Sequence, residues 1–377
     1  MGILSWARPL SNNFDVGLRR HLALNDAVAP TPSVIGPLSA AIVSRADSTP
    51  HFAAFVRSIH AEPGMLAPDF FLASVSPPGW KPAIAVVSRG PQIVGLVYCK
   101  ERVVAGVGIR VVFGDDSLGA MVVARPDDIE SVIRVSTSAL LKHAIALRLL
   151  VRADQLPCFR DLEGNAEVSF DKRRHHAHLA LPNTYQEFLA KRGPHTRRNF
   201  RYYRRRSEFA GTQFVPKINF REFSSACRNL LSKSAHQKSK RSLEAHLAMI
   251  EAMPLQIAMG LKHSNGKWIG LAGGWFAGDR AFLVTQLNDC TRTRESVSLV
   301  LRAYMIEALI SRRCPELVFW EGSSAPITTF ANYVDVFMAH FDVLSLRWRL
   351  VRRTCAAIRK LAPANFSKFL VWFVRDS

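Results

Sequence analysis

The chain has 377 residues, of which 48% are hydrophobic and 21% are charged, and this composition excludes a wholly disordered protein. Lys and Arg total 50 against 30 Asp and Glu, so the net charge is +20 and we expect an anionic partner. Residues 1–150 hold 14 basic and 11 acidic residues, so they carry only +3 of this charge and the anion should bind mainly to the later part of the chain. No apolar run is long enough to span a membrane, and the six cysteines form no C-x-x-C pair, so we expect no metal site.

The first half of the chain is predicted to form a helix, a meander of strands, a second helix and a closing strand. Residues 1–35 show little pattern and are interpreted as a loosely ordered arm. Gly90-Pro91 predicts a turn between two strands, and Asp127-Asp128 predicts a helix start because acids suit the first turn. The predicted elements are a helix at 50–60, strands at 83–89, 92–100 and 108–113, a helix at 127–146 and a strand at 147–152.

The second half repeats this plan, which indicates duplicated domains although no residue-level repeat is visible. Its strongest helix, 294–311, has apolar residues spaced alternately by three and one, which predicts one buried face. The predicted elements are a strand at 177–181, helices at 185–190, 220–234 and 242–252, strands at 255–262, 267–276 and 281–288, the helix at 294–311, a strand at 317–321 and a short helix around 328–337.

The turn between strand 281–288 and helix 294–311 is a candidate anion site. A helix start offers free backbone N–H groups and a partial positive charge, which suit a phosphate. Arg292 and Arg294 flank this start, and Thr293 and Ser296 add hydroxyl donors. The alternative is an ordinary capped helix with Thr293 as its N-cap and solvated arginines.

The most basic stretch of the chain, residues 191–206, is a second candidate. Gly193-Pro194 predicts a helix start, and Phe200 and Tyr203 are expected to dock the helix onto the protein. Its outward face should carry guanidinium groups suited to phosphate oxygens, because the spacing aligns several arginines. The proposed polyanion-binding residues are Arg197, Arg198, Arg201, Arg204 and Arg205. The alternative is a solvated charged face.

The basic and aromatic segment 343–377 admits two interpretations. Attachment to an anionic membrane surface is one, and a helix and strand that complete the core is the favoured one. We therefore expect a cytoplasmic protein, with peripheral attachment to the inner membrane surface as a second possibility.

Several segments between residues 180 and 340 occur in a matching order in a known group of enzymes. A short helix, 185–190, leads into the basic helix 196–206, and a strand with Gly and Ala follows at 268–276. The turn 291–296 precedes the long helix, the next strand ends in Glu321-Gly322, and Tyr333 follows it. With these segments the chain resembles the GNAT-fold N-acyltransferases of the FemAB-like and CelD-like group.

The resemblance implies an α+β fold of tandem GNAT-like domains, each a mixed, mostly antiparallel sheet flanked by helices. Only fold-level analogy supports this for the first half. The expected ranges are an arm at 1–35, an N-terminal GNAT-like domain at 36–180, a C-terminal GNAT-like acyltransferase domain at 181–342 and a basic extension at 343–377.

The resemblance also implies transfer of an acyl group, expected to be acetyl, from coenzyme A to an amine. The pantetheine would lie where two central strands splay, with Glu321 as the leading general base and Tyr333 as the acid for the leaving thiolate. Val297 and Ser298 stand where the group has its turn glycine, and Val334 replaces a lysine. The implied coenzyme-binding residues are Gln286, Asn288, Arg292, Thr293, Arg294 and Ser296.

Two other functions remain open at this point. In a tRNA-dependent aminoacyl transferase of FemAB type, the basic helix would bind RNA and the binding would fall steeply with salt. In a non-catalytic binder of anionic surfaces on a degenerate GNAT fold, no acyl-CoA would bind.

Overall fold

The computed structural model describes residues 36–44, 49–75, 79–104, 109–160, 166–234, 240–320 and 331–343, together with residue 353. The chain divides into two units, Met1–Pro37 and Leu38–Ser377. The fold below is that of the second unit.

A single mixed sheet of thirteen strands organises this unit, and most neighbouring strands are antiparallel. Its spatial order is β1-β2-β3-β4-β6-β13-β7-β12-β11-β10-β9-β8, with β5 paired to β3. The strands are β1 (Leu38–Val43), β2 (Lys81–Arg89), β3 (Gln92–Val104), β4 (Ile109–Asp115), β5 (Val122–Ala124), β6 (Ala146–Arg152), β7 (Ala166–Ala180), β8 (Gln213–Val215), β9 (Gln256–Lys262), β10 (Trp268–Ala277), β11 (Arg280–Asn288), β12 (Glu316–Phe319) and β13 (Asn332–Val343).

Nine α-helices are formed by the described residues, and they pack against the sheet or against one another. They are α1 (Thr49–Ile59), α2 (Pro68–Ser74), α3 (Ile129–His143), α4 (Leu156–Arg160), α5 (Tyr185–Ala190), α6 (Pro194–Phe209), α7 (Phe220–Leu231), α8 (Lys240–Glu251) and α9 (Val297–Ser311).

Two strand pairs in the sheet are parallel, and each is joined by a helix that crosses over. β4 and β6 are connected through α3, and β11 and β12 are connected through α9. A parallel pair needs such a crossover because its connection must return along the full strand length. The two halves thus share one topology, and the expected tandem GNAT-like architecture is confirmed.

The two halves meet at β13, which comes from the end of the second half and lies between β6 and β7. It is antiparallel to both neighbours, from Val336 opposite Arg152 on one side and from Asn332 opposite His178 on the other. One sheet therefore runs through both predicted domains. The proposed boundaries at 180 and 342 stay a prediction.

Helix α9 is the most deeply buried helix of the second half, and its buried residues are not confined to one face. Arg302, Ala303 and Ile306 are buried beside the predicted apolar positions, whereas Tyr304 of that set is only half-buried. Most of the predicted apolar face is buried, and burial extends beyond it because α9 packs on the sheet with one side and against α6 with another.

The predicted short helix around 328–337 is also wrong where the structure describes it. Residues from Asn332 onward form β13, so Tyr333 lies on a strand opposite Ala177 rather than on a helix. Valine and phenylalanine are frequent in this segment and favour strands, and pairing on both edges decides the outcome. For the same reason β7 begins at Ala166, eleven residues before the predicted strand.

No helix in the described part of the chain has both the length and the apolar character needed to cross a lipid bilayer.

Candidate functional site

A gap opens in the second half where β12 ends beside β11. The two strands pair only from Ala281 opposite Leu317 to Leu283 opposite Phe319, and Trp320 N donates to Leu283 O at 2.9 Å. β11 then continues to Asn288 with β10 on its other edge. Within the described chain, no strand pairs with residues 285–288 on the β12 side, so that edge presents backbone donors and acceptors.

A bulge bends β11 at the level where β12 leaves it. Gly273 pairs with Thr285 and Gly274 pairs with Leu283, so Val284 is the extra residue. A Cβ at Gly274 would lie 1.7 Å from Phe282 O, so only glycine allows this approach. Bulges increase local twist and redirect a strand, which here widens the gap.

The turn after β11 is held by its own side chains and by neighbouring backbone. Asp289 Oδ1 accepts hydrogen bonds from Thr291 N at 3.1 Å and Thr291 Oγ1 at 2.6 Å. Asp289 N donates to Ile269 O at 2.8 Å, and Cys290 N donates to Lys233 O at 2.9 Å. These contacts place the next residues, 292–296, at the start of α9.

The left-handed residue of this turn is Ser296, with φ +48° and ψ +46°. Its side chain forms no cap, and its carbonyl accepts the amides of Leu299 at 2.9 Å and Val300 at 3.1 Å. A non-glycine residue in this conformation costs about 1 kcal/mol. The turn therefore contains a left-handed residue of the kind that glycine usually provides. It is Ser296, one residue before the Val297-Ser298 pair that stands in place of the turn glycine of the FemAB-like group.

Four predicted coenzyme-binding residues lie together in this turn, but they differ in availability. Arg292 Nη1 is 2.8 Å from Glu295 Oε1, and both side chains are about a quarter exposed. Thr293 and Arg294 are exposed, and Ser296 is half-buried. In the structure Thr293 and Arg294 are therefore the freely accessible donors, and Glu295 competes for Arg292.

Gln286 and Asn288 lie on β11 and are tied to α9 by a polar network that reaches into the gap. Gln286 Nε2 donates to Ser298 Oγ at 3.0 Å and to Asn288 Oδ1 at 3.3 Å. Gln286 Oε1 accepts from Arg302 Nε at 2.9 Å. This network holds the two predicted residues in place relative to the first turns of α9.

Arg302 is a buried residue that sequence reasoning missed. It is only 7% exposed, and its guanidinium lies 5.9 Å from the centre of the Phe319 ring, so it spans the two diverging strands. Burial lowers the pKa of Arg302 to about 10, which still leaves it cationic at neutral pH. Sequence reasoning did not identify Arg302 as buried, because a single arginine next to apolar helix positions is usually exposed to solvent.

The two predicted catalytic residues are placed differently. Glu321 lies outside the described residues. Tyr333 is half-buried on β13 and packs against the core that contains α9 and Phe319. Its role as an acid stays a prediction. Among the described residues, no group of three or more His, Cys, Asp or Glu side chains is arranged to hold a metal ion.

The basic helix α6 packs along α9 as predicted, through its aromatic side. Phe200 is 1% exposed and stacks edge-on against Phe188, and Tyr203 is half-buried. Arg204 does not join the predicted outward face: its Nη1 is 2.8 Å from Glu307 Oε2, and its guanidinium covers the Tyr304 ring at 4.1 Å. Arg204 lies on the side of α6 that faces α9, where Glu307 supplies a carboxylate.

The rest of the predicted polyanion-binding set stays on the outer side of α6. Arg198, Arg201 and Arg205 are exposed, and Arg197 is half-buried. Helix α6 also lies beside the turn Thr293–Glu295, so the basic face and the candidate anion turn are neighbours.

No protein-family model matches the chain, and no curated protein matches it in sequence. Solved structures do match it. FemX has a TM-score of 0.54 at 11% identity, over 78% of this chain and 96% of its own. L-PGS from Bacillus licheniformis has a TM-score of 0.50 at 14% identity, over 85% and 98%. A tandem GNAT protein from the clavulanic acid biosynthesis pathway has 0.47 at 14%, over 81% and 98%.

At these identities the first two matches establish the fold and leave the chemistry open. The protein has a tandem GNAT fold, and its structural relatives are FemAB-like.

Proposed function

We propose that the protein is an N-acyltransferase that moves an acyl group, with acetyl as the expected one, from coenzyme A to an amine. The observation that carries this proposal is the edge of β11 at residues 285–288, which no described strand covers on the β12 side and which leads directly into the turn 292–296 at the start of α9. A ligand with amides at one end and phosphates at the other fits this order of groups.

The residues of the gap suit such a cosubstrate in two respects. Residues 285–288 offer backbone groups to the pantetheine amides, which would pair with them as an added strand does. The exposed Thr293 and Arg294, with the first amides of α9, offer donors and positive charge to a diphosphate. Arg292 would join them by exchanging Glu295 for the phosphate.

Gln286 and Asn288 serve this site through their network. Because Ser298 and Arg302 fix the Gln286 amide, the edge of β11 keeps a constant position relative to the start of α9. The buried cation at Arg302 also raises the local positive potential in the gap, which favours an anionic cosubstrate and disfavours a cationic competitor.

In the transfer step, the amine nitrogen attacks the thioester carbonyl, the new C–N bond forms and the C–S bond breaks. Glu321 is proposed to take the proton from the amine, since it directly follows Trp320, whose amide donates to Leu283 O of β11. Tyr333 is proposed to give its proton to the departing thiolate. An uncharged amine is required for attack, so the rate should rise with pH as the substrate amine loses its proton.

The test is a calorimetric titration of the full chain with acetyl-CoA and longer acyl-CoAs, followed by a thiol-release assay with a panel of amines. We expect saturable binding that weakens about tenfold when Arg292 and Arg294 are both changed to Ala. Arg312→Ala with Arg313→Ala, at the opposite end of α9, is the control with the same change of charge.

Two results would overturn the proposal. One is the absence of acyl-CoA binding by the folded protein, which is the result expected of a non-catalytic binder. The other is product formation from an aminoacyl-tRNA but not from any acyl-CoA, which would make the protein a tRNA-dependent aminoacyl transferase of FemAB type.

A further inference from the structure

The outer face of α6 carries arginines and aromatic rings on one line, and this line has no place in the acyl-transfer chemistry. Arg198, Tyr202, Arg205 and Phe209 follow at intervals of four, three and four residues, which keeps them on a single stripe of the helix. Tyr202 is 54% exposed and Phe209 is 92% exposed. We call these four residues, with Arg201 and Arg206 at their sides, the outer stripe.

The outer stripe is strongly cationic, and within the described part of the chain no carboxylate forms a salt bridge with its arginines. The only acid in α6 is Glu208, and it accepts a hydrogen bond from Tyr304 OH of α9 at 2.5 Å. The other inward contact, between Arg204 and Glu307, also lies on the α9 side. Four guanidinium groups therefore remain on the stripe, along a helix of 16 residues that is about 24 Å long.

An open groove of about 880 Å³ follows the stripe, and its described lining lies wholly on α6. Arginine forks match phosphate oxygens, and the groove gives room for several phosphate groups beside the helix. The exposed Phe209 ring needs an apolar environment that phosphate alone does not supply. The surface therefore fits a partner that presents phosphates and, just beneath them, hydrocarbon.

We propose that the outer stripe docks the protein onto an anionic phospholipid surface, with the arginines on headgroup phosphates and Tyr202 and Phe209 inserted between them. Helices of this kind lie in the interface and bind through buried apolar area together with attraction to anionic lipids.

A single-stranded nucleic acid is the competing partner, and the ring spacing argues against it. Successive bases stack on neighbouring aromatic side chains. Tyr202 and Phe209 are seven residues apart, which is about 10 Å along the helix, and Arg205 lies between them. A lipid surface sets no such spacing requirement.

Vesicle co-sedimentation of the full chain tests the proposal. The protein should bind vesicles of mixed phosphatidylglycerol and phosphatidylcholine and should not bind vesicles of phosphatidylcholine alone. Arg198→Ala with Arg205→Ala should weaken binding by about tenfold or more, because each basic side chain near such a surface contributes severalfold. Phe209→Ser should remove the part of the binding that persists at high salt, since that part is apolar.

Arg221→Ala with Arg241→Ala is the matched control, because both arginines are exposed, on α7 and α8, and the net charge falls equally. It should bind the anionic vesicles like the unchanged protein. Each of the following results would overturn the proposal: no binding to anionic vesicles, equal loss in the control, or single-stranded RNA that displaces the protein from the vesicles at equal phosphate concentration. Circular dichroism of each variant verifies that α6 still folds.

Discussion

The two parallel strand pairs share one topology but end differently. β4 stays paired with β6 up to Asp115, and the next amide, Asp116 N, still donates to Leu150 O at 2.7 Å. β11 loses β12 after Leu283 and continues to Asn288. Among the described residues, the duplicated plan therefore leaves residues 285–288 of β11 without a partner strand on the β12 side, whereas β4 is paired with β6 to its end.

A buried carboxylate at the end of β4 binds the neighbouring segments of the first half. Asp116 is 1% exposed, and its Oδ1 accepts the amides of Met121 at 2.7 Å and Val122 at 3.4 Å. Its other oxygen accepts a hydrogen bond from Gln155. Asp116 thus joins the segments at 121–122 and at Gln155 to the end of β4. The gap of the second half lies at the corresponding place beside β11.

The two crossover helices also differ in charge at their starts. α3 is preceded by Asp127 and Asp128, which suit the helix dipole by themselves and repel an anion. α9 is preceded by Arg292 and Arg294, with Glu295 as the one acid. Strand pairing and charge both support the proposal that an anionic cosubstrate binds the second half rather than the first.

The largest expected effect is a loss of stability when the buried Asp116 at the end of β4 is removed. Asp116→Ala should lower the free energy of unfolding by about 3 kcal/mol, because three buried donors lose their acceptor. Urea denaturation measures this loss, and the folded variant should bind acyl-CoA as before. Asp127→Ala, at an exposed acid, should change stability by less than about 0.5 kcal/mol. Loss of acyl-CoA binding in folded Asp116→Ala would place a site in the first half.

A smaller effect is expected when the charges at the two helix starts are exchanged. Arg294→Asp makes the start of α9 acidic and should weaken acyl-CoA binding about tenfold. Asp127→Arg makes the start of α3 basic, but it should create no second binding site because β4 and β6 remain paired. Calorimetry measures the number of acyl-CoA molecules bound per chain. A second equivalent bound by Asp127→Arg would show that charge alone is enough to make the site.

The smallest effect concerns the strand that borders the gap. Glu316 of β12 lies 3.2 Å from His178 Nδ1 of β7. Burial works to raise the pKa of Glu316, but the hydrogen bond and charge of His178 and the charge of Arg280 outweigh it and hold that pKa below the usual value. The ionised form therefore stabilises the fold at neutral pH, and this contribution disappears as pH falls below about 4.3.

Glu316→Gln removes this dependence. Relative to the variant, the unchanged protein should lose roughly 1 kcal/mol of stability between about pH 5 and pH 3. Urea midpoints at several pH values measure the difference. Parallel curves for the two proteins would show that the ion pair does not hold β12 to β7.

The local pattern predicted the central elements of the second half closely. The strands expected at 255–262, 267–276 and 281–288 and the helix through Ser311 appear within a few residues of their predicted bounds. Turn residues such as Asn265-Gly266 and the apolar spacing of α9 act over short distances, so they are visible in sequence. The candidate anion turn was proposed from the same kind of local pattern, since Arg292, Thr293 and Arg294 are contiguous.

Long-range pairing decided the rest. Whether 332–343 is strand or helix depends on the free edges of β6 and β7, which lie far away in sequence. Arg302 and Arg204 look alike in the sequence, yet one is buried against Gln286 and the other pairs with Glu307. Composition and spacing determined that this chain forms an α+β fold with a basic second half. Only the tertiary structure decided which of the two parallel pairs separates, β4–β6 or β11–β12. The pairing of a strand edge depends on the segment that packs beside it, and that segment is distant in sequence.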